Sequence, residues 1–476
     1  MKRSAHSYSM RYTMQFILGI ATFLLCIAAA QAGPLPERQS LAISNVTVVD
    51  VARARLVRSR TVIIDNGRIA AIEPANHAHI PARAVRVDGH GRYLIPGLVD
   101  MHVHLFNLSS HRPPNDWGFP LFVANGVTAV REMRGDSASM ALVKQWRKAL
   151  DSGELVVPRI LAAGIAVYGT SPQDAARQVD AAAAAGADFI KVFSEVPATH
   201  WHGILAAAKA RALPVVGHVP AEISLLDAAA AGQRSSEHLM QAYEACSAIE
   251  TRVLSERRGL QGDVLVERRD AQEARVLAAF DGDICRRVAK KIKATGQAQV
   301  PTLVLANEDA LTAESMASDP RWRYLRADEH ARWQKFLGGY TAQDAALAQQ
   351  RWPVARKIVA AMHDAGVTIL AGTDSPMPGV YPGFSLHEEL ALLVESGKTP
   401  VEALRAATSA PAEFLGIAGT TGSVAVGKRA DLVLLDADPT KDIRNTRHIN
   451  AVVLDGRLLR RADLDALLEQ AARAQR

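Results

Sequence analysis

The alternation of apolar and polar residues along the chain changes its character twice. Short alternating runs with Asx-Gly turns predict β-strands over residues 41–95 and again over 418–460. Between these two regions, short apolar runs alternate with alanine-rich segments of helical periodicity, which is typical of strand–helix repeats. The pattern therefore predicts an α/β protein in which a larger central unit is flanked by β-structure.

The two β-rich regions are predicted to form one small β-sandwich built from both ends of the chain. Turn sequences such as Asp65-Asn66-Gly67 and Asp455-Gly456 separate its strands. An amphipathic helix is expected after the second region, over 461–476. The predicted strands cover 41–49, 61–64, 69–72, 84–87, 422–424, 430–435 and 451–454.

The central region, 96–417, is predicted to be a (β/α)8 TIM-like barrel. Apolar strands alternate there with helical segments such as 138–152, 172–185 and 204–212, and eight such units suit a closed parallel barrel. The expected strands lie near 94–104, 127–131, 159–164, 189–192, 215–218, 234–238, 300–304 and 368–373.

Two long charged segments, 246–299 and 308–356, follow the sixth and seventh predicted strands. Segments that follow barrel strands lie over the catalytic face, so both are candidates for a lid or a pocket wall. A solvated helical insertion has the same composition, and the pattern leaves the two interpretations open.

The first 32 residues differ in composition from the rest of the chain. Lys2, Arg3 and Arg11 precede an uncharged apolar run over 16–30, and Ala30-Gln31-Ala32 offers small residues around a cleavage point. This arrangement predicts a signal peptide over 1–32, a mature N-terminus near Gly33 and a secreted, periplasmic protein. A membrane anchor is the alternative, although a run of about 15 residues is short for a bilayer span.

The remaining composition is that of a globular protein, with 49% hydrophobic and 22% charged residues. Removing the leader lowers the formal net charge from +6 to +3, because it holds three basic and no acidic residues. We therefore expect no nucleic-acid partner and, after cleavage, no membrane partner. Cys246 and Cys285 remain and could form a disulfide in an oxidising compartment. A homo-oligomer stays open.

Residues of metal-ligand type stand at the ends of the predicted barrel strands, where barrel enzymes carry their chemistry. His102 and His104 are two residues apart, so a strand would project both to one side. Each such residue alone is more often a core histidine or a solvent-reaching lysine. Together they predict a metal site. The candidates are His102, His104, Lys191, His218, His238 and Asp374.

Lys191 needs a neutralising partner, because Ile190 and Val192 flank it in an apolar strand. Burying an unpaired lysine costs several kcal/mol. Carboxylation by carbon dioxide would convert its amine to a carbamate, which can bridge two metal ions. The lysine therefore points to a binuclear centre.

With these residues in place, the chain resembles the amidohydrolase superfamily, in particular its imidazolonepropionase-like and prolidase-like (Xaa-Pro dipeptidase-like) members. Pro-Gly-Leu-Val-Asp-Met-His-Val-His at 96–104 resembles the strand-one signature, and Ala-Gly-Thr-Asp-Ser at 371–375 resembles the strand-eight signature. Segments 386–408 and 422–432 are similar to the family's post-barrel helices and C-terminal sandwich strands. The resemblance covers most of the mature chain.

The resemblance implies a role for each candidate ligand. His102, His104 and Asp374 would bind one divalent ion, and His218 and His238 the other. Carboxylated Lys191 would bridge the ions, which are expected to be zinc. Asp374 would also take a proton from the attacking water and return it to the leaving group. The lysine favours a two-metal amide hydrolase over a mononuclear deaminase.

Two departures from the family pattern leave the substrate undetermined. Val130-Arg131-Glu132 stands where Val-Arg-Asp is common, and the loop 166–170 is less glycine-rich than usual. Both were expected near the substrate. Tyr168 and Tyr243 are candidate substrate contacts, with packed aromatics as the alternative.

The sequence thus predicts a secreted binuclear amidohydrolase of small substrates. Dipeptides, including Xaa-Pro, and N-acyl amino acids are the expected substrates. A cyclic amide or lactone hydrolase, a mononuclear deaminase and a non-catalytic metal-binding scaffold are the alternatives, in that order. Asp374 argues against the scaffold, which has no need of a proton shuttle.

Overall fold

The computed structural model describes residues 34–107 and 112–474 and shows a parallel barrel beside a mixed β-sheet. The predicted signal peptide, 1–32, lies outside the described residues. The strands are β1 Leu41–Asp50, β2 Arg55–Asp65, β3 Arg68–Pro74, β4 Val85–Asp88, β5 Tyr93–Pro96, β6 Leu98–Val103, β7 Val127–Gly135, β8 Arg159–Ala166, β9 Phe189–Val192, β10 Val215–Gly217, β11 Ser235–Glu237, β12 Ala298–Val300, β13 Leu432–Leu435, β14 Ile449–Leu454 and β15 Arg457–Arg460.

Helices connect the barrel strands and extend to the end of the chain. They are α1 Phe119–Ala124, α2 Ser139–Ser152, α3 Pro172–Ala185, α4 Ala198–Ala210, α5 Leu225–Ala230, α6 Ala242–Ala245, α7 Glu250–Arg257, α8 Gly262–Ala278, α9 Gly282–Thr295, α10 Leu303–Glu308, α11 Ala313–Ala317, α12 Ala327–Gly339, α13 Ala342–Asp364, α14 Phe384–Glu395, α15 Pro400–Ala406, α16 Ser409–Phe414 and α17 Arg461–Arg473. In the part of the chain that the structure describes, no helix has the length and apolarity to cross a membrane.

The barrel contains β6 to β12 as parallel neighbours in chain order. The eighth position is taken by residues 368–375, which form single parallel bridges from Ile369 to Gln299 and from Ser375 to Val103. The amide of Leu370 donates to the Gln299 carbonyl at 2.9 Å, and that of Met101 to the Ala371 carbonyl at 2.9 Å. The predicted (β/α)8 architecture is confirmed, with an irregular eighth strand.

Three predicted strands are wrong in part. The strand 94–104 is divided between the two sheets at Gly97, where a Cβ would lie 2.8 Å from Cβ of Thr128. The seventh strand ends at Val300 rather than continuing to 304, because Pro301 offers no N–H to a sheet and Thr302 has a φ of 47°. Residues 422–424 form a bend and no strand.

The mixed sheet joins the two ends of the chain, as predicted. Its order is β15-β14-β13-β5-β1-β2-β3, with β4 also paired to β1. The junction is the antiparallel pair of β13 and β5, in which Val433 lies opposite Ile95. Apolar side chains of both halves enclose one core, and its buried members include Ile43, Ile64, Leu94, Leu432 and Val453.

The two long charged segments are helical and follow β11 and β12. The first contains α7 to α9, and the second contains α11, α12 and most of α13. A disulfide joins Cys246, which follows α6, to Cys285 in α9. Both segments contribute side chains to the cavity described below, which settles the open alternative in favour of a pocket wall.

Candidate active site

The six predicted ligands are brought together at the carboxyl ends of the barrel strands. His102 and His104 leave β6 on one side, and their Nε2 atoms lie 3.1 and 2.6 Å from Oδ1 of Asp374. Ligand atoms of His102, His238 and Asp374 lie within 4.8 Å of one another. The ring centroid of His238 is 4.5 Å from that of His102 and 5.0 Å from that of His218.

Lys191 lies at the base of this group. Its side chain is fully buried, and Nζ is 5.1 Å from the centroid of the Phe193 ring. Burial lowers its pKa to about 8, so a neutral amine is available at ordinary pH. A neutral amine is the form that reacts with carbon dioxide, and this environment therefore suits carboxylation.

Several polar atoms of the cluster are buried without a hydrogen-bond partner among the described residues. Buried polar atoms are normally paired, and such convergence of unpaired nitrogen and oxygen atoms fits a bound cation. Burial lowers the pKa of His238 to about 3 and that of His218 well below its usual value, which keeps their lone pairs free. His104 Nδ1, Lys191 Nζ and His218 Nδ1 are such atoms. His102 Nε2 and Asp374 Oδ1 also make no hydrogen bond, but they contact each other at 3.1 Å.

Glu237 holds His102 in place, a role that the sequence pattern does not predict. Its Oε2 lies 3.0 Å from Nδ1 of His102, which leaves Nε2 facing the cluster. Arg131 donates to the same carboxylate at 3.0 Å and Ser235 at 2.5 Å. Arg131 and His102 hold the pKa of Glu237 well below its usual value against the effect of burial. A glutamate within a buried strand was the signal that could have revealed it.

His238 is oriented in a similar way. Its Nδ1 lies 2.8 Å from the hydroxyl oxygen of Thr302, and that hydroxyl donates to the Pro301 carbonyl. Nδ1–H is therefore the donor, and Nε2 is free to face the cluster. His238, Thr302 and Asp374 have φ values of 59°, 47° and 67°. Left-handed backbone at non-glycine residues clusters at functional sites.

Gly217 makes room for Lys191. It has a φ of +117°, and a Cβ there would lie 2.6 Å from Cδ of the lysine. We expect Gly217→Ala to displace Lys191, and so to lower both the bound metal and the activity by at least tenfold. Metal analysis by mass spectrometry and a turnover assay measure the two effects, and thermal unfolding shows whether the variant is folded.

Gly232→Ala is the matched control for this prediction. Gly232 also has a positive φ, +93°, but a Cβ there meets no atom within 4 Å. Backbone strain of about 1–3 kcal/mol should appear in both variants. Metal loss should appear only in Gly217→Ala, and equal metal content in the two variants would contradict the steric argument.

A cavity of about 690 Å³ opens above the cluster. Its floor contains His104, His218, His238 and Asp374, and its walls come from β-strand ends and from α8, α10 and α13. Both predicted tyrosines line it, Tyr168 and Tyr243. Whether they contact substrate stays a prediction. Sites for small molecules have volumes in this range.

The two departures from the family pattern have different places in the structure. Tyr168 lies on the cavity wall and stacks on Phe193, with ring centroids 5.1 Å apart. Glu132 is fully buried, and its oxygens accept the backbone N–H groups of Leu105 and Arg134. It shapes the loop after β6 and is not a cavity-lining residue, contrary to expectation.

A (β/α)8 barrel with histidines, a lysine and an aspartate at its strand ends defines a barrel enzyme with a candidate metal centre. The amidohydrolase family model matches residues 93–459. The chain therefore belongs to the amidohydrolase family, is similar to its imidazolonepropionase-like and prolidase-like members, and is a hydrolase that acts on carbon–nitrogen bonds.

Individual relatives agree with this assignment. The imidazolonepropionase of Geobacillus kaustophilus (strain HTA426) is 25% identical over 456 residues, covering 92% of this chain and 96% of that protein. A bottromycin amidohydrolase structure has a TM-score of 0.69 at 25% identity, covering 92% and 91% of the two chains. A Xaa-Pro dipeptidase with methionine in its active site has the same fold, with a TM-score of 0.61 at 20% identity, covering 88% and 100%.

Proposed function

We propose that the protein is a binuclear amidohydrolase that cleaves amide bonds of small substrates, namely dipeptides, including Xaa-Pro, or N-acyl amino acids. The observation that carries this proposal is the convergence of buried polar atoms that make no hydrogen bond, Oδ1 of Asp374 among them, beside an open cavity that Asp374 lines. These donors fit two cations, and Asp374 is placed to move protons between water and substrate.

His102, His104 and Asp374 would hold one ion and His218 and His238 the other, with carboxylated Lys191 between them. Zinc is the ion that we propose, since three or four histidine and carboxylate ligands suit it. When bound, two such ions would lower the pKa of water and polarise the scissile carbonyl. The proton relay belongs to the protein itself. Oδ1 or Oδ2 of Asp374 accepts a proton from the attacking water and delivers it to the leaving nitrogen.

Metal content and substrate turnover of the purified mature protein test this proposal together. Two zinc ions per chain and cleavage of any dipeptide or N-acyl amino acid in a mixed panel would support it. Two metals without cleavage would move the search to cyclic amides and lactones. One metal or none would contradict the lysine bridge and favour a deaminase or a scaffold.

We further propose that the protein is secreted to the periplasm. The charge and apolar pattern of residues 1–32 supports this, and the Cys246–Cys285 disulfide suits an oxidising compartment. N-terminal sequencing of secreted material should find a start near Gly33. An intact Met1 in that material would contradict cleavage.

A further inference from the structure

Arg134 is a cation in the cavity whose side chain has no hydrogen-bond or ion-pair partner among the described residues. It is the last residue but one of β7 and lines the cavity with Asp374 and Tyr168. Among the described residues its guanidinium makes no ion pair or hydrogen bond, and its Nε is shielded from solvent. A shielded cation without a counter-charge is costly unless a ligand supplies one.

The other arginines of the cavity differ from Arg134 in this respect. Arg351 pairs with Glu273 at 2.5 Å, Arg257 with Glu244 at 2.8 Å, and Arg269 donates to the Ser194 hydroxyl at 3.1 Å. Each of these side chains is therefore paired within the protein. Among the described residues of the cavity wall, Arg134 is the one arginine that no protein group pairs. It can therefore bind a ligand that enters the cavity.

The nearest carboxylates cannot serve Arg134. Both oxygens of Glu132 accept backbone N–H groups, one of them from Arg134 itself. Asp374 lies between His102 and His104 and belongs to the reacting centre. Arg134 nevertheless lines the same cavity as His104 and Asp374 of that centre.

An aromatic surface adjoins the free cation. Tyr168 stacks on Phe193, and the Phe193 ring meets His218 edge-on with centroids 5.0 Å apart. A planar guanidinium binds a carboxylate through two parallel hydrogen bonds, and an aromatic pair offers a flat apolar face. The two features together suit an anion that carries an apolar side chain.

We propose that Arg134 binds the free carboxylate of the substrate, while Tyr168 and Phe193 pack against the adjoining side chain. This inference rests on the proposed function and deepens it, because it assigns a residue to the carboxylate that lies beside the scissile bond in dipeptides and N-acyl amino acids. Substrates whose carboxylate is blocked, and neutral cyclic amides and lactones, should be poor.

Arg134→Gln tests the proposal through selectivity. For any panel substrate that is cleaved, kcat/KM is compared between the free acid and its C-terminal amide, with products resolved by mass spectrometry. A charged hydrogen bond is worth about 1.5–3 kcal/mol, so kcat/KM for the acid should fall about 100-fold, mainly through KM. The value for the amide should change less than threefold.

Arg269→Gln is the matched control, because it removes a cavity cation that already has a partner. The acid-to-amide ratio should stay as in the unmodified protein. If both variants lost the preference in kcat/KM for the acid over the amide, the positive charge of the cavity as a whole would explain it. That result would overturn a specific contact between Arg134 and the carboxylate. An unchanged ratio in Arg134→Gln would overturn the proposal outright.

A binding measurement separates this proposal from the proposed function. The probe is 3-phenylpropanoate, which has no bond to hydrolyse, with 3-phenylpropanol as its neutral counterpart. Calorimetry should show about 100-fold weaker binding of the carboxylate to the metal-loaded Arg134→Gln variant and unchanged binding of the alcohol. If no amide is cleaved but this difference appears, the hydrolase proposal fails and the carboxylate site stands.

Folding of the variant is checked by circular dichroism. Should Arg134→Gln not fold, Arg134→Lys takes its place, since it keeps the charge and loses the planar pair of donors. Binding of 3-phenylpropanoate should then weaken about tenfold. Unchanged affinity in a folded Arg134→Lys variant would contradict two-point recognition by Arg134.

Discussion

Asp374→Asn should reduce kcat by about 10³-fold or more while the fold is kept. The asparagine has nearly the same shape, but it cannot accept the proton of the attacking water or return it to the leaving nitrogen. General acid–base groups contribute about 10²–10⁴-fold each, and here one side chain would serve in both directions. Steady-state kinetics on the best panel substrate measure the loss, and metal analysis shows whether the ions are retained.

Asp309→Asn is the comparison for this prediction. Asp309 lines the same cavity, but its carboxylate is paired with Arg351 at 3.5 Å. If the loss of any cavity carboxylate were enough to abolish turnover, Asp309→Asn and Asp374→Asn would lose activity to the same extent. Turnover close to that of the unmodified protein in Asp374→Asn, with metal present, would contradict the proposed proton relay.

The fold could be predicted from the sequence because its signals are local. The helix α3 spans Pro172–Ala185 as predicted, since Ser171 caps its first turn and Gly186 ends it in a left-handed conformation. The errors arose where the chain passes from one unit to the next. The residues before and after Gly97 are equally apolar, so the sequence predicts one strand. In the structure, β5 pairs with β13 in the mixed sheet and β6 pairs with β7 in the barrel.

The candidate ligands could be predicted because barrel topology gathers strand ends at one face. Residues that support them could not, because their roles depend on neighbours distant in sequence. Glu237 acts through His102, 135 residues away, and Thr302 acts through His238. Arg134 becomes informative only when the other cavity arginines are seen to be paired. In the sequence, a single arginine at a strand end does not predict a ligand-binding residue.

The long charged segments show the same limit. Their composition allowed a solvated insertion or a pocket wall, because helix periodicity does not reveal what the apolar side faces. In the structure, α8 places Val266 and Leu277 on the cavity, and α13 places Arg351 there. The cavity wall therefore includes residues that no barrel motif marks.

Lys191→Ala should lose metal and activity together. The carbamate that we propose supplies a ligand to both ions, so its removal should leave at most about one metal per chain and lower kcat by at least 100-fold. Millimolar acetate or propionate should restore part of both, because a short carboxylic acid can enter the space left by the side chain and replace the bridge.

Lys191→Met separates the bridge from simple packing. Methionine fills most of the volume of the lysine side chain in this fully buried position and offers no amine to carboxylate. It should lose metal and activity like Lys191→Ala but gain nothing from added acid, because the space is filled. Rescue in the alanine variant alone would mean that a carboxylate is needed where the Nζ atom stands. Full metal content in both variants would remove the bridge, and with it the reason to prefer a two-metal amide hydrolase over a mononuclear deaminase.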